Sequence, residues 1–96
     1  MDRKERLKQV MIDEAETIRK VAERVDYNVM SQITELLCQV KKNSKKVILA
    51  GCGTAGQAAK RIAHTLSVVE IPAFFLSPAD SIHGGLGAMQ QGDILI

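Results

Sequence analysis

The sequence predicts an α/β domain whose parallel strands are preceded by two helices, and three observations carry that prediction. From Met1 to Lys42 there is no Gly and no Pro, and apolar residues recur at three- and four-residue spacing, the signature of an amphipathic helix. At Val47 the pattern changes to a continuous apolar run, Val47-Ile48-Leu49-Ala50. It contains β-branched residues and does not alternate, as in a strand covered on both faces. A glycine-rich turn, a second helically spaced segment and two further apolar runs follow, which is the βαβ order of a parallel sheet.

The leading segment divides in two. Leu7, Val10, Met11, Ile18, Val21 and Val25 mark one apolar stripe, and Val29, Ile33, Leu36, Leu37 and Val40 mark another. Asp26-Tyr27-Asn28 lies between them and offers Asp or Asn as a cap, so helices are expected over about 3–25 and 28–42. Lys41 and Lys42 suit the negative end of the second helix dipole, and Asn43-Ser44 ends that helix.

After the turn Gly51–Gly56, residues 55–68 return to helical spacing, with Ala55, Ala58, Ala59, Ile62, Leu66 and Val69 as the expected stripe. Pro72-Ala73-Phe74-Phe75-Leu76 reads as a second strand, with Pro72 at its start, where a missing N–H does least harm. Ser77-Pro78-Ala79-Asp80 then opens a short helix, with Ser as cap, Pro at the first position and Asp in the first turn. Gly84–Gly87 close it, and Gly92-Asp93-Ile94-Leu95-Ile96 begins a third buried strand, after which the sheet looks cut short. The expected organisation is a helical segment, 1–43, followed by an α/β segment, 44–96.

Composition narrows the functional classes. Apolar residues make up 46% and charged residues 25%, ordinary values for a globular protein. No run approaches the ~18 apolar residues of a membrane span. The N-terminus is charged from Asp2 onward, so no secretory signal is expected and the chain reads as cytoplasmic. The net charge of +2 conceals an asymmetry: residues 1–46 hold eleven Lys and Arg against eight Asp and Glu, and residues 47–96 hold two against three. Interleaved charges of both signs mark a solvated helix face. No basic-aromatic stripe is present to stack bases, so no nucleic-acid partner is expected. Two His and two Cys are scattered without a paired motif, so no metal site is expected. Cys38 and Cys52 are expected as reduced thiols.

Gly51-Cys52-Gly53-Thr54-Ala55-Gly56 fits G-x-G-x-x-G in the context that pattern needs, with a strand before it and a helix after it. Glycines allow a tight turn and close approach of a ligand, and the N–H groups of the helix start face an anion. Three glycines exceed what an unliganded turn requires. Gly51, Cys52, Gly53, Thr54 and Gly56 are therefore candidate substrate-binding residues. Thr54 and Gln57 form T-x-x-Q, so Thr54 is expected to cap the helix, and its hydroxyl could also bond a phosphate. Cys52 has no base beside it and is expected as a small buried side chain. His83, in S-I-H-G-G-L-G, follows the second strand, where loops at the carboxyl ends of parallel strands converge on a ligand. There it either moves a proton on a sugar oxygen or is structural. His64 shares a face with Lys60 and Ser67, off the apolar stripe, and reads as solvated surface; Asp80 reads as a helix-start charge.

Taken together, V-I-L-A-G-C-G-T-A-G-Q-A-A-K-R-I-A-H-T-L, P-A-F-F-L-S-P-A-D-S-I-H-G-G-L-G and G-D-I-L-I resemble the sugar isomerase (SIS) domain in its arabinose-5-phosphate isomerase branch, from about Lys46 onward. The resemblance implies a flavodoxin-like, three-layer fold with a five-stranded parallel sheet, of which this chain would be the N-terminal half. It also implies a homodimer or homotetramer using the leading helices, no cofactor, and interconversion of aldose and ketose phosphates through an enediol by an acid/base pair. Residue by residue, Gly51, Gly53 and Gly56 match the first sugar-phosphate loop, and His83 matches the active-site His of an H-G-D-L-G segment. Two positions depart: Thr54 stands where the active isomerases have Lys, and Gly85 where they have Asp. A serine-rich phosphate loop and a glutamate base would lie beyond Ile96, so the chain alone is not expected to catalyse. Three functions result: a phosphosugar isomerase, a non-catalytic phosphosugar-binding or sensing module, which Thr54 favours, and a dinucleotide-binding domain. The last needs an acid at the end of the second strand, where this chain has Ser77-Pro78, and it ranks third.

Overall fold

The computed structural model describes residues 1–96, which divide into two compact units, Met1–Ser31 and Gln32–Ile96. In the first unit, α1 (Arg3–Arg24) begins at Asp2, whose carboxylate accepts the Glu5 N–H at 2.8 Å. Such a cap contributes about 1 kcal/mol by satisfying an otherwise orphaned donor. Arg19 pairs with Glu16 at 2.7 Å and with Glu23 on the exposed surface, three and four residues away on the same helix face. The helix stops at Val25, and Asp26 then accepts the N–H groups of Asn28 (3.0 Å) and Val29 (3.2 Å). Asp26 is thus the cap of α2 (Tyr27–Lys42), at the expected break. No residue of α1 is buried within the chain: Leu7, Val10, Met11, Ile18 and Val21 all stand open.

The second unit holds the rest of α2, then β1 (Val47–Leu49), α3 (Gly53–Val68), β2 (Ala73–Phe75), α4 (Pro78–Ile82), a 3-10 turn (Gly85–Ala88) and β3 (Ile94–Leu95). The sheet order is β2-β1-β3 and every pairing is parallel, with Val47 opposite both Ala73 and Ile94. Central β1 is fully buried. Val47 and Leu49 pack with Val40 of α2 and with Ala59 and Ala63 of α3, while Ile48 alternates to the other face and is equally buried. Burial on both faces is why the run shows no polar alternation. The α/β class with two leading helices and a parallel sheet is the observed fold.

Two expectations about packing are corrected. The buried stripe of α3 is Gly56, Ala59 and Ala63, with Leu66 half-buried, whereas Ala55, Ala58, Ile62 and Val69 face outward. Ala59 and Leu66 are common to both stripes, so the buried face is the expected one turned by roughly 60°, toward Gly56 and Ala63. The helix turns its smallest residues to the sheet so that its backbone can approach, and this overrides the pull of the larger Ile62. The third strand was expected to be buried, but Leu95 is 56% and Ile96 50% exposed. β3 pairs with β1, and Leu95 and Ile96 are the last two residues of the 96.

α2 and α3 end by the same device. Ser44 (φ 55°) and Glu70 (φ 64°) adopt the left-handed conformation. The following N–H groups of Lys45 and Ile71 reach back to the carbonyls of Val40 and Leu66, each at 2.9 Å. Both are Schellman-type closures, normally given to glycine. They deliver the chain to the amino ends of β1 and β2. That end of the sheet is fastened by polar groups. The Asp93 side chain, 1% exposed, accepts the Lys46 N–H at 3.1 Å, the Lys46 ammonium at 2.5 Å and the Gln90 N–H at 2.7 Å. The Lys46 hydrogen bond is the main reason its carboxyl is held down to about 2. The Ser67 hydroxyl donates to the Ala73 carbonyl at 3.1 Å, tying α3 to β2.

Candidate functional site

The chain runs from β1 to β2 on one side and then returns to β3 on the other side of β1, so its winding reverses at β1. In open parallel sheets, ligands bind outside the carboxyl ends of the strands at such a reversal. The glycine turn leaves β1 at this point and becomes α3.

Each glycine in the turn has a backbone cause. A Cβ on Gly51 would stand 2.9 Å from the Ala55 carbonyl carbon, and one on Gly56 would stand 2.7 Å from the Gly51 oxygen. The two residues therefore press the loop against the first turn of α3. Gly53 has φ +58°, and nothing lies within 4 Å of where its Cβ would be, so it provides handedness and opens onto free space.

Two expectations for the turn change. Cys52, not Thr54, is the N-cap: its carbonyl accepts the Gly56 N–H at 3.2 Å, so the helix starts before Thr54 can cap it. Thr54 is the second helical residue, and its exposed hydroxyl has no partner within the chain. Cys52 is exposed rather than buried, because residue 52 lies beyond the end of the sheet and its side chain makes no cap bond.

Beside the turn lies a cleft of about 390 Å³. Gly51, Cys52, Gly53 and Gly56 form one wall, Gln57 and Lys60 extend it along α3, and Phe75, Ser77, Pro78 and Ala79 close it from the carboxyl end of β2. The first turn of α3 carries no acid, leaving its positive dipole end uncompensated. Lys60 is the one charged residue lining the cleft, and its ammonium lies 5.1 Å from the centroid of the Phe75 ring. Such a contact at an exposed site is worth about 0.5–1 kcal/mol. Ser77 caps α4 by position, yet its hydroxyl makes no cap bond.

Thr54 and His83 do not line this cleft. His83 is the exposed C-cap of α4, its N–H bonded to the Asp80 carbonyl at 3.1 Å. His83 follows Ala79, the last of the cleft residues on α4, by four positions, roughly 6 Å of helix. Gly85 has no room for a side chain: its Cβ would stand 2.7 Å from Leu76 Cδ1 and 2.9 Å from the Asp80 carbonyl oxygen. Asp80 lies in the first turn of α4 and His64 is exposed, both as expected. Lys60 and Gln57 were not singled out from the sequence as cleft residues. The available signal was the four-residue step from Gly56 to Lys60, which puts the lysine on the helix face that carries the turn. A larger cleft of about 540 Å³ lies at the opposite end of the sheet beside Lys41, Lys45 and Lys46. Two of those cations are already paired, Lys41 with Glu70 and Lys46 with Asp93.

No protein-family model matches the chain. Among curated proteins it is 31% identical over 83 residues to arabinose 5-phosphate isomerase KdsD of Francisella tularensis, covering 86% of this chain and 25% of that protein. It is 28% identical over 90 residues to arabinose 5-phosphate isomerase KpsF of Escherichia coli O6:H1, covering 94% of this chain and 27% of that one. Over 51 residues it is 43% identical to arabinose 5-phosphate isomerase GutQ of Salmonella typhi, covering 53% of this chain and 16% of that protein. Two crystal structures share the fold. One is a candidate sugar-phosphate isomerase of Listeria monocytogenes (TM-score 0.83, 35% identity, 99% of this chain and 50% of that one). The other is a candidate phosphosugar isomerase involved in capsule formation from Bacteroides fragilis (TM-score 0.68, 30% identity, 88% and 47%). The chain spans about a quarter of the first two curated relatives and about half of the solved chains.

Proposed function

We propose that this chain, a relative of the arabinose 5-phosphate isomerases with the fold of sugar-phosphate isomerases, binds a sugar phosphate at Gly51–Gly56 and serves an aldose–ketose isomerase. The observation that carries the reading is the cleft at the carboxyl end of β1, where an acid-free helix start and open glycine backbone meet one cation. Backbone N–H groups at a helix start are suited to a phosphate. In the isomerisation a base removes the proton from C2 of the aldose, and the resulting enediol is reprotonated at C1. The carbonyl thereby moves from C1 to C2, with a proton passing between O1 and O2. His83 has the residue type for the oxygen-to-oxygen transfer near neutral pH. The carbon proton requires a base, and the residues lining the cleft include no carboxylate. The open apolar residues of α1 and α2 support a homo-oligomer built through these helices, and the free Cys38 and Cys52 thiols support a reducing, cytoplasmic setting. No helix is long and apolar enough to cross a membrane.

Binding without turnover is the second reading, favoured by uncharged Thr54 in the glycine turn. The full protein given arabinose 5-phosphate should form the corresponding ketose phosphate, and His83→Ala should slow it on the order of 100-fold or more while leaving binding intact. Binding with no turnover across a panel of aldose and ketose phosphates would sink the isomerase and leave the sensor. NAD(H) should leave the melting temperature unchanged; a rise would revive the dinucleotide reading.

A further inference from the structure

We propose that Lys60 is the anchoring cation for the phosphate group of the bound sugar phosphate, standing one helical turn behind the glycine turn. The inference rests on the sugar-phosphate reading of the cleft. A helix start offers about half a positive charge, whereas a phosphate monoester carries about 1.5–2 negative charges near neutral pH, so the turn alone leaves the anion under-compensated. Residues 47–96 contain two cations, Lys60 and Arg61, and only Lys60 lines the cleft.

Its geometry fits the task. Lys60 follows Gly56 by four residues, on the same helix face, and helical side chains lean toward the N-terminus. Lys60 and Gly56 both line the cleft, and the lean of a helical side chain takes the lysine toward the glycine turn. The Phe75 ring approaches to 3.8 Å from where a Gly56 Cβ would stand, and the same ring holds the Lys60 ammonium at 5.1 Å. Gly56, Phe75 and Lys60 thus form one continuous wall. Lys41 and Lys46 each hold a carboxylate, but Lys60 makes no ion pair. A ring steadies the ammonium without neutralising it, so its full charge stays available to an incoming anion.

The test is titration of the full protein with arabinose 5-phosphate by calorimetry, for wild type, Lys60→Gln, Lys60→Arg and Arg61→Gln. Lys60→Gln should weaken binding roughly 10–100-fold, the scale of a lost hydrogen bond to a charged group. The deficit should shrink as salt is raised, since screening removes the wild-type advantage. Lys60→Arg should keep most of the affinity, and Arg61→Gln, which removes the same charge outside the cleft, should keep all of it. Circular dichroism should be unchanged throughout, as both side chains are exposed. Wild-type binding matched by Lys60→Gln would overturn the assignment of Lys60 and leave the sugar-phosphate reading standing. Equal losses from Lys60→Gln and Arg61→Gln would reduce the effect to overall charge and also overturn it. No binding by the wild type would remove the sugar-phosphate reading itself.

Discussion

Asp93, at the amino ends of the strands, accepts three hydrogen bonds, whereas the side chains of Cys52, Thr54, Gln57 and Ser77, at the carboxyl ends, make none within the chain. The two ends of one small sheet are therefore built differently. At the amino end, Lys46, Asp93 and Ser67 tie strand starts to loops and helix, and Lys41 pairs with Glu70 across the closing turns. At the carboxyl end, glycines hold the backbone close while polar side chains stay unpaired around a cleft. Satisfied polar groups fix structure, and polar groups left open at a helix start are available to an anion. The difference separates an end that keeps the fold from the end at which we propose the sugar phosphate binds.

The comparison breaks most readily at Gly56. Gly56→Ala puts a Cβ 2.7 Å from the Gly51 oxygen, a backbone atom that cannot swing aside. The expected loss is about 2–3 kcal/mol by denaturant unfolding, together with loss of sugar-phosphate binding. Unchanged stability would mean that the loop is not pressed against α3.

Asp93→Asn tests the other end. It should lower the unfolding midpoint and leave sugar-phosphate affinity as it was; a matching fall in affinity would dissolve the distinction between the ends. Its pH signature is specific. The Asp93 carboxyl sits at about 2 in the folded chain, below its ordinary 3.8, so its stabilisation is complete above 3.8 and is lost as pH falls toward 2. Acid unfolding in this window should be steeper for the wild type than for Asp93→Asn.

The smallest effects belong to the closures ahead of the strands. Ser44→Gly and Glu70→Gly each relieve a left-handed non-glycine residue and should each raise stability by about 0.5–1 kcal/mol. Glu70→Gly also gives up its exposed contact with Lys41, 3.3 Å long, so its gain should be the lesser of the two.

The backbone of this protein was more legible in its sequence than the site. The run Val47–Leu49 announced a buried central strand because burial on both faces suppresses alternation, and Asp26 announced a helix start because a cap needs an acceptor there. The stripe of α3 is turned from the expected one because periodicity weighs large apolar residues such as Ile62, whereas the sheet adds Gly56 and Ala63 to Ala59 for closeness. Thr54 fits a capping box, but a glycine able to take φ +58° let the helix start at Cys52's carbonyl instead. Lys60 was invisible for a further reason: a lysine on a helix defaults to solvent, and only the placement of Phe75 across the sheet reveals which solvent-facing lysine borders the cleft.

The position of Cys52 has a practical consequence. Its thiol lines the cleft and is exposed, while the other thiol, Cys38, sits on α2 away from it. The protein thus carries its own pair of chemical handles, one at the site and one as internal reference. Differential alkylation of the two, read by mass spectrometry, reports occupancy of the cleft without any engineered label.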